Sequence, residues 1–294
     1  MKFLKSFILS ICIVLLTACN VTPPQDAPTP TSSTTVISSA VPMLTVQFID
    51  VGQGDSILIT LPNQQHMLVD AGDLGSEHIL VPFIEKQGVK KIDYVIATHP
   101  HADHIGGMEQ IIKHFEIGKV YMPKATATSK TYEAVLQAIK AKGLTIAQAK
   151  AGVSVIDEQA LQATFLAPIG AQYEGLNDYS AVLKLRYQDN DILLMGDAEK
   201  TSEQQILASG AYVHADLIKI GHHGSHSSSS PAFMKAVDPK YAVISSGKSN
   251  RYGHPHKPTL DLLTKSGIAI FRSDVDGTIT ATCDGKNIVV RGEK

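Results

Sequence analysis

The chain has little cysteine, no apolar run long enough to cross a bilayer, and no excess of positive charge. Only Cys12, Cys19 and Cys283 occur in 294 residues. The first two fall in an N-terminal segment set apart below, so no intramolecular disulfide is available to the folded part, even in an oxidising compartment. The apolar stretch from Phe7 to Leu16 falls short of the roughly 20 residues a spanning helix needs. Nothing after Leu16 reaches that length, so no channel built of spanning helices is expected from this sequence. With Lys2 and Lys5 set aside, 24 basic residues face 28 acidic ones, a formal charge of −4. Proteins that coat nucleic acid carry the opposite sign. For an anionic substrate, a local patch and bound ions must supply the positive field. Two catalytic signatures are also missing. Gly52-Gln-Gly54-Asp55 lacks the Lys-Ser/Thr of a phosphate-cradling loop and the spacing of a dinucleotide site. No Ser sits in a nucleophile-elbow pattern.

Residues 1–19 read as a signal peptide: Lys2 and Lys5, the apolar core, then Leu16-Thr-Ala-Cys19. The last four residues resemble a bacterial lipobox, which makes Cys19 the expected lipidation site. An ordinary signal peptide and an uncleaved anchor are the alternatives. Residues 20–42 are rich in Pro, Ser and Thr without apolar periodicity, the composition of a disordered tether. An extracytoplasmic, membrane-anchored lipoprotein is therefore expected. Residues 43–294 amount to one large domain, with no internal repeat and no second linker.

Within that domain residues 43–50, 56–61 and 66–70 read as strands, separated by the turn formers Gly52-Gln-Gly54 and Pro62-Asn63. A helix is expected over 77–86, a strand over 92–97 and a helix over 103–115. Residues 131–142 form an amphipathic pattern with Val135, Leu136 and Ile139 on the apolar face. Strands at 160–166, 181–187 and 191–195 open a second strand-rich half. Strands and helices then alternate to residue 270, with closing strands near Thr278 and Ile288. Periodicity alone establishes an α/β fold.

The chemistry concentrates in Thr98-His-Pro-His-Ala-Asp-His104, directly after the apolar run 92–97. Such a run is a buried strand, so these side chains sit on the loop at its carboxyl end. Imidazole and carboxylate are donors that Zn(II) and related divalent ions take. In an extended turn, His99 and His101 can grip one ion. Asp103 and His104, opening the next helix, can then reach a second ion beside it.

This His-x-His-x-Asp-His segment, followed by Ile105-Gly-Gly107, resembles the signature of the metallo-β-lactamase fold hydrolases. Six further motifs occur in the order of the ComEC-like branch of that family: Phe48-Ile-Asp-Val-Gly-Gln-Gly-Asp-Ser56, Leu68-Val-Asp-Ala-Gly72, Asn177-Asp-Tyr-Ser180, Leu194-Met-Gly-Asp197, Ile220-Gly-His-His-Gly-Ser225 and Tyr252-Gly-His-Pro255. The resemblance runs from about Met43 to the C-terminus. It implies a four-layer αββα sandwich, two divalent ions, Zn(II) or Mn(II), and metal-assisted hydrolysis. It also implies that Asp197, placed by a Gly after the apolar strand 192–195, bridges the ions. One of His222 and His223 then completes the second ion's shell, and the other faces substrate.

The sequence departs from the common family pattern at one point. A further His is expected between the first motif and the bridging Asp, but only His114 lies there, badly placed in a helix. Asp178 or Asn177 is the candidate substitute, and harder oxygen donors shift preference towards Mn(II) or Mg(II). Asp70 is a candidate to accept the second N–H of a metal-bound imidazole; for Asp70, as for Asp50, a turn-holding role is the alternative. Ser225, Asn250, Tyr252 and His254 fit a substrate pocket, with His254 as a proton donor. His226, His256 and the serines 227–230 read as plain loop. The expected activity is a phosphodiesterase or nuclease outside the cytoplasm, with Asp103, Asp197 and His254 catalytic. Its substrate would be DNA or a phosphocholine-bearing polymer. A phosphocholine esterase and a non-catalytic binding module with a retained metal site are the alternatives.

Overall fold

A computed structural model describes residues 42–294; the expected signal peptide, the lipobox-like segment with Cys19 and nearly all of the expected tether lie outside the described residues. The first half runs β1 (Leu44–Phe48), β2 (Ile57–Thr60), β3 (His66–Val69), α1 (Glu77–Lys86), β4 (Lys91–Ile96), α2 (Ala102–Ile105), α3 (Met108–His114), β5 (Glu116–Met122), α4 (Lys130–Ala141) and β6 (Ile146–Gln148). The second half runs β7 (Ser154–Asp157), β8 (Leu161–Phe165), β9 (Leu183–Tyr187), β10 (Asn190–Leu194), α5 (Lys200–Ala208), β11 (Leu217–Lys219), α6 (Pro231–Val237), β12 (Tyr241–Ile244), α7 (Lys257–Lys265), β13 (Ala269–Arg272) and α8 (Ser273–Asp276). The chain closes with β14 (Ile279–Cys283) and β15 (Ile288–Gly292).

Two sheets result. The first has the order β15-β14-β1-β2-β3-β4-β5-β6 and the second β13-β12-β11-β10-β9-β8-β7. The closing strands return to the first sheet, where β14 pairs antiparallel with β1, Phe48 opposite Ile279. The sheets pack face to face because alternate residues of each strand point inward. Ile192 and Leu194 of β10 join Phe48, Tyr121 and Phe165 in the core between the sheets. Leu193, between them, faces the helices α5 to α7 instead. A third core lies under α1, α3 and α4 on the outer face of the first sheet. Helices, sheet, sheet, helices: the four-layer α/β sandwich. Each large side chain buried there contributes about 1.5–3 kcal/mol, so the framework beneath the site is rigid.

The helix expected over 103–115 is in fact two, α2 and α3, broken at Gly106-Gly107. A Cβ at Gly106 would stand 2.2 Å from the backbone of Asp73 and Leu74, and one at Gly107 2.6 Å from the Ala71 carbonyl. The glycines let the turn carrying Asp103 and His104 press against the loop after β3. The edge strands β6 and β7 and the strand β5 were not legible in the sequence; the strands expected over 43–50, 56–61, 66–70, 92–97, 160–166, 181–187 and 191–195 agree with β1 to β4 and β8 to β10 to within two residues. No helix among the described residues is long and apolar enough to cross a membrane.

Candidate metal centre

β3 to β6 run parallel in one sheet and β10 to β13 in the other. The loops at their carboxyl ends converge, the usual place for a site in such sheets. The loop after β4 brings His99, His101, Asp103 and His104. The turn after β10 brings Asp197, where Gly196 adopts φ +53° with Thr98 and Ser180 packed against it. The turn after β11 brings His222 and His223, both held at positive φ, 46° and 52°. Two successive left-handed residues other than glycine are strained. That strain aims adjacent imidazoles in different directions.

Asp197 stands at the centre. Its Oδ1 lies 3.2 Å from His104 Nε2 and 3.5 Å from His223 Nε2. Its Oδ2 lies 3.8 Å from His99 Nε2 and 3.8 Å from His222 Nε2. The two oxygens thus face two different sets of imidazoles. His99 Nε2 and His101 Nδ1 approach to 2.9 Å, and Asp103 Oδ2 lies 3.2 Å from His223 Nε2. Donor atoms of His99, His101 and Asp197 fall within 4.8 Å of one another, and so do those of Asp103, His104 and His223. The buried atoms His104 Nε2, His223 Nε2 and Asp197 Oδ1 have no hydrogen-bond partner. Buried polar atoms without a partner are costly unless a cation engages them. The residues fit two divalent ions, one in each group, with Asp197 between.

The groups behind the donors fix their orientation. Asp70 is fully buried and accepts from Thr98 N at 2.8 Å, Thr98 Oγ1 at 2.7 Å and His104 Nδ1 at 2.8 Å. This is the carboxylate–imidazole pairing expected of a ligand histidine. Asp50 takes no part in it; its Oδ1 accepts from Gly52 N in a turn. His223 Nδ1 donates to the Ser245 carbonyl at 3.0 Å and lies 3.4 Å from Asp55 Oδ1. Asp55 in turn pairs with Lys219, fully buried, at 2.6 Å.

Charge balance shows in the proton affinities. Burial opposes the charged form of His104, but Asp197 and Asp70 overcome it and hold its pKa well above the usual imidazole value. Burial likewise depresses His223, which Asp197, Asp103 and Asp55 lift to about 9. Burial and the neighbouring His104 push His99 well below its usual value. Burial opposes ionisation of Asp197, yet His104 and His223 keep its carboxyl well below the usual range. In the metal-free protein, protons on His104 and His223 neutralise the carboxylates that divalent ions would otherwise balance.

The other candidates divide. His222 faces the cavity, its Nδ1 2.9 Å from Glu199 Oε1, which also accepts from Ser227 Oγ at 2.7 Å; of the two adjacent histidines, His223 is the one inside a donor group. Asp178 is turned away from the cluster, contrary to the expectation of an oxygen ligand. Its Oδ1 accepts from Glu199 N at 3.2 Å and Ser202 N at 3.1 Å, capping the start of α5. Asn177 contacts His222 and Glu199. The first group is therefore left with three donors. Ser225 is also displaced from its expected role: it is buried, and its Oγ meets Ser227 Oγ at 2.9 Å. Asn250, Tyr252 and His254 do line the cavity of about 670 Å³ over the cluster, with Gln53, Asp73 and Arg251. The Asn250 amide is engaged in its own loop, donating to the Gly247 and His254 carbonyls. Burial, His223, His222 and His256 push His254 down to about 4. In the metal-free protein it is therefore uncharged at neutral pH, a hydrogen-bonding group on the cavity wall. His226 and His256 meet at 2.9 Å in exposed loops. Asp55, Lys219, Glu199 and Arg251 were not singled out from sequence; a lysine ending the apolar strand 217–219 was the one available signal.

The fold and this cluster define a class. The profile of the Metallo-beta-lactamase superfamily matches residues 49–248, and the chain belongs to that family. Among curated proteins it is similar to ComE operon protein 3 of Bacillus subtilis, 36% identical over 251 residues, covering 80% of this chain and 32% of that protein. Competence protein ComA of Neisseria gonorrhoeae is 28% identical over 232 residues, covering 78% and 31% respectively. The chain thus spans about a third of the length of these relatives. Among solved structures, CmlA, a diiron beta-hydroxylase from Streptomyces venezuelae, superposes with TM-score 0.53 at 13% identity over 82% of this chain and 54% of that one, a likeness of fold alone.

Proposed function

We propose that this metallo-β-lactamase-fold hydrolase is a dinuclear phosphodiesterase or nuclease acting outside the cytoplasm, held at the membrane by lipid on Cys19. The observation that carries the dinuclear reading is Asp197, whose Oδ1 faces His104 and His223 while Oδ2 faces His99. Two bound divalent ions would lower the pKa of a water and neutralise charge on the attacked oxygen. His99, His101 and Asp197 would hold one ion, and Asp103, His104, His223 and Asp197 the other. Asp70 and Asp55 keep His104 and His223 aimed inward. Arg251, Tyr252 and the neutral His254, on the cavity wall, are placed to hydrogen-bond the non-bridging oxygens of a phosphate. The similarity to competence proteins and Arg251 on the cavity wall favour a phosphodiester over a lactam or thioester.

Protein reconstituted with Mn(II) or Zn(II) is to be assayed on bis-p-nitrophenyl phosphate, single-stranded DNA, a phosphocholine ester, a lactam and a thioester. Hydrolysis of the diester that is lost, together with metal, in Asp197→Ala supports the proposal. Turnover of the phosphocholine ester alone would make the chain an esterase of cell-surface polymers. Two bound ions with no turnover of any substrate would make it a binding module. Anchoring is tested by Cys19→Ser, expected to release the protein from membranes or leave it unprocessed; a variant that still carries diacylglyceryl lipid refutes it.

A further inference from the structure

The cavity over the cluster does not end there. His101 and Ala102 wall it and also wall a second recess of about 410 Å³, continued by Thr126 and Ser129. Thr126 in turn edges a third recess of about 850 Å³, whose walls include Lys124, Gln148 and Lys150. Neighbouring recesses share wall residues, which sets the three side by side as a segmented groove from Arg251 past the cluster to Lys124 and Lys150. Its course follows from topology. Lys124 and Lys150 lie just beyond the carboxyl ends of the parallel strands β5 and β6, on the same rim as the ligand loops. The opposite wall, around Ile169 and Gly170, lies beyond β8 of the second sheet.

The charge of this arm is one-sided. No Asp or Glu lines the second or third recess. Lys124 and Lys150 are exposed, and the lysine ion pairs among the described residues involve other lysines. A chain of net negative charge thus keeps two uncommitted ammonium groups in an acid-free arm beside its metal centre. A small ester occupying only the cavity over the cluster would leave that arm without an occupant.

We propose that the groove is a track for an extended polyanion, in which Lys124 and Lys150 hold phosphates on one side of the diester at the cluster. The assignment of a phosphodiester polymer rests on the proposed function; the track does not require turnover. Nucleic acid and a poly(glycerol phosphate) chain share the chemistry that these lysines recognise.

The test compares the metal-loaded full chain with Lys124→Glu/Lys150→Glu and with Lys86→Glu/Lys90→Glu, an equal charge change at the opposite end of β4. Binding of a labelled oligonucleotide about twenty nucleotides long, and of a labelled poly(glycerol phosphate), is read by fluorescence anisotropy. The track variant is expected to lose affinity by on the order of tenfold or more, and its log–log salt slope to flatten by about 1.4 for single-stranded DNA, since each phosphate contact contributes about 0.7. The ratio of kcat/KM on the oligonucleotide to that on bis-p-nitrophenyl phosphate should fall with it, while the control variant retains both. The polymer whose binding weakens identifies the source. Unchanged binding of both polymers, or an equal loss in the control, overturns the track. If the charge reversal unfolds the protein, Lys124→Gln/Lys150→Gln carries the same test. Track-dependent binding without hydrolysis of any diester would sink the phosphodiesterase reading alone. Hydrolysis of bis-p-nitrophenyl phosphate with track-independent binding would sink the track alone.

Discussion

Asp70→Asn tests how much of the metal affinity is set behind the ligands. The substitution keeps the volume, and asparagine tolerates the positive φ of 59° found here. The amide oxygen can still accept from Thr98 N, now 2.8 Å from Asp70 Oδ1. The amide nitrogen, however, falls where Oδ2 accepts from His104 Nδ1 at 2.8 Å. Two N–H donors would then face each other. Neutral His104, the form that binds an ion, escapes by placing its one proton on Nε2, the atom that faces Asp197 Oδ1 at 3.2 Å and that an ion needs free. Loss of such a partner costs 10–100-fold in metal affinity, about 1.4–2.7 kcal/mol at 1.36 kcal/mol per tenfold. Isothermal titration of metal-free protein with Mn(II) or Zn(II) should show that weakening at one of two sites, with the other nearly unaffected. Two sites of wild-type affinity would refute the tautomer argument.

Further outcomes follow from the same geometry. Metal uptake at pH 7 should release protons from His104 and His223, measurable as calorimetric heats that depend on buffer ionisation enthalpy, and affinity should fall as pH falls. For the metal-free protein the sign is opposite: the raised folded-state pKa of His223, about 9, gives stability that is full below its unfolded value of about 6.5 and is lost as pH rises through 9, so the apo Tm should drop over that interval. His254→Ala should lower turnover by less than about 100-fold, below the usual range of acid–base catalysis, with metal content and the pH profile between 6 and 8 unchanged; loss of an alkaline limb would instead mark His254 as the proton donor. Lys219→Met should destabilise by about 3–5 kcal/mol by stranding the buried Asp55 carboxylate, measured by urea denaturation, and Asp55→Asn in the same chain should recover much of it.

What was legible in the sequence was local. The strand 92–97 and the ligand run after it sit together in the chain, so their joint placement needed no tertiary information. Asp197 could be placed for the same reason, being the end of an apolar strand after a glycine. The errors concern side chains whose partners are distant. Asp178 stands among ligand-like neighbours in sequence, yet its carboxylate is claimed by the first turn of α5, whose position only packing determines. Lys219 reads as the end of a strand until Asp55 is seen opposite it. The break between α2 and α3 depends on how closely the loop after β3 approaches. Periodicity carries no record of that distance.

The donors of the cluster come from both sheets: His99, His101, Asp103 and His104 from the rim of the first, Asp197 and His223 from the rim of the second. They are roughly a hundred residues apart in the chain. An ion held between them is a cross-link of the length that a large-loop disulfide closes, a constraint worth about 4–5 kcal/mol in the chain-entropy account. The one cysteine among the described residues is buried and unpaired, so no covalent tie shares that task. Metal bound there would act as a clasp at that rim of the sandwich. A chelator should do more than silence the site: it should let the two sheets part at that rim and expose the ligand loops to proteases, while the closing strands β14 and β15 keep the far edge of the first sheet shut.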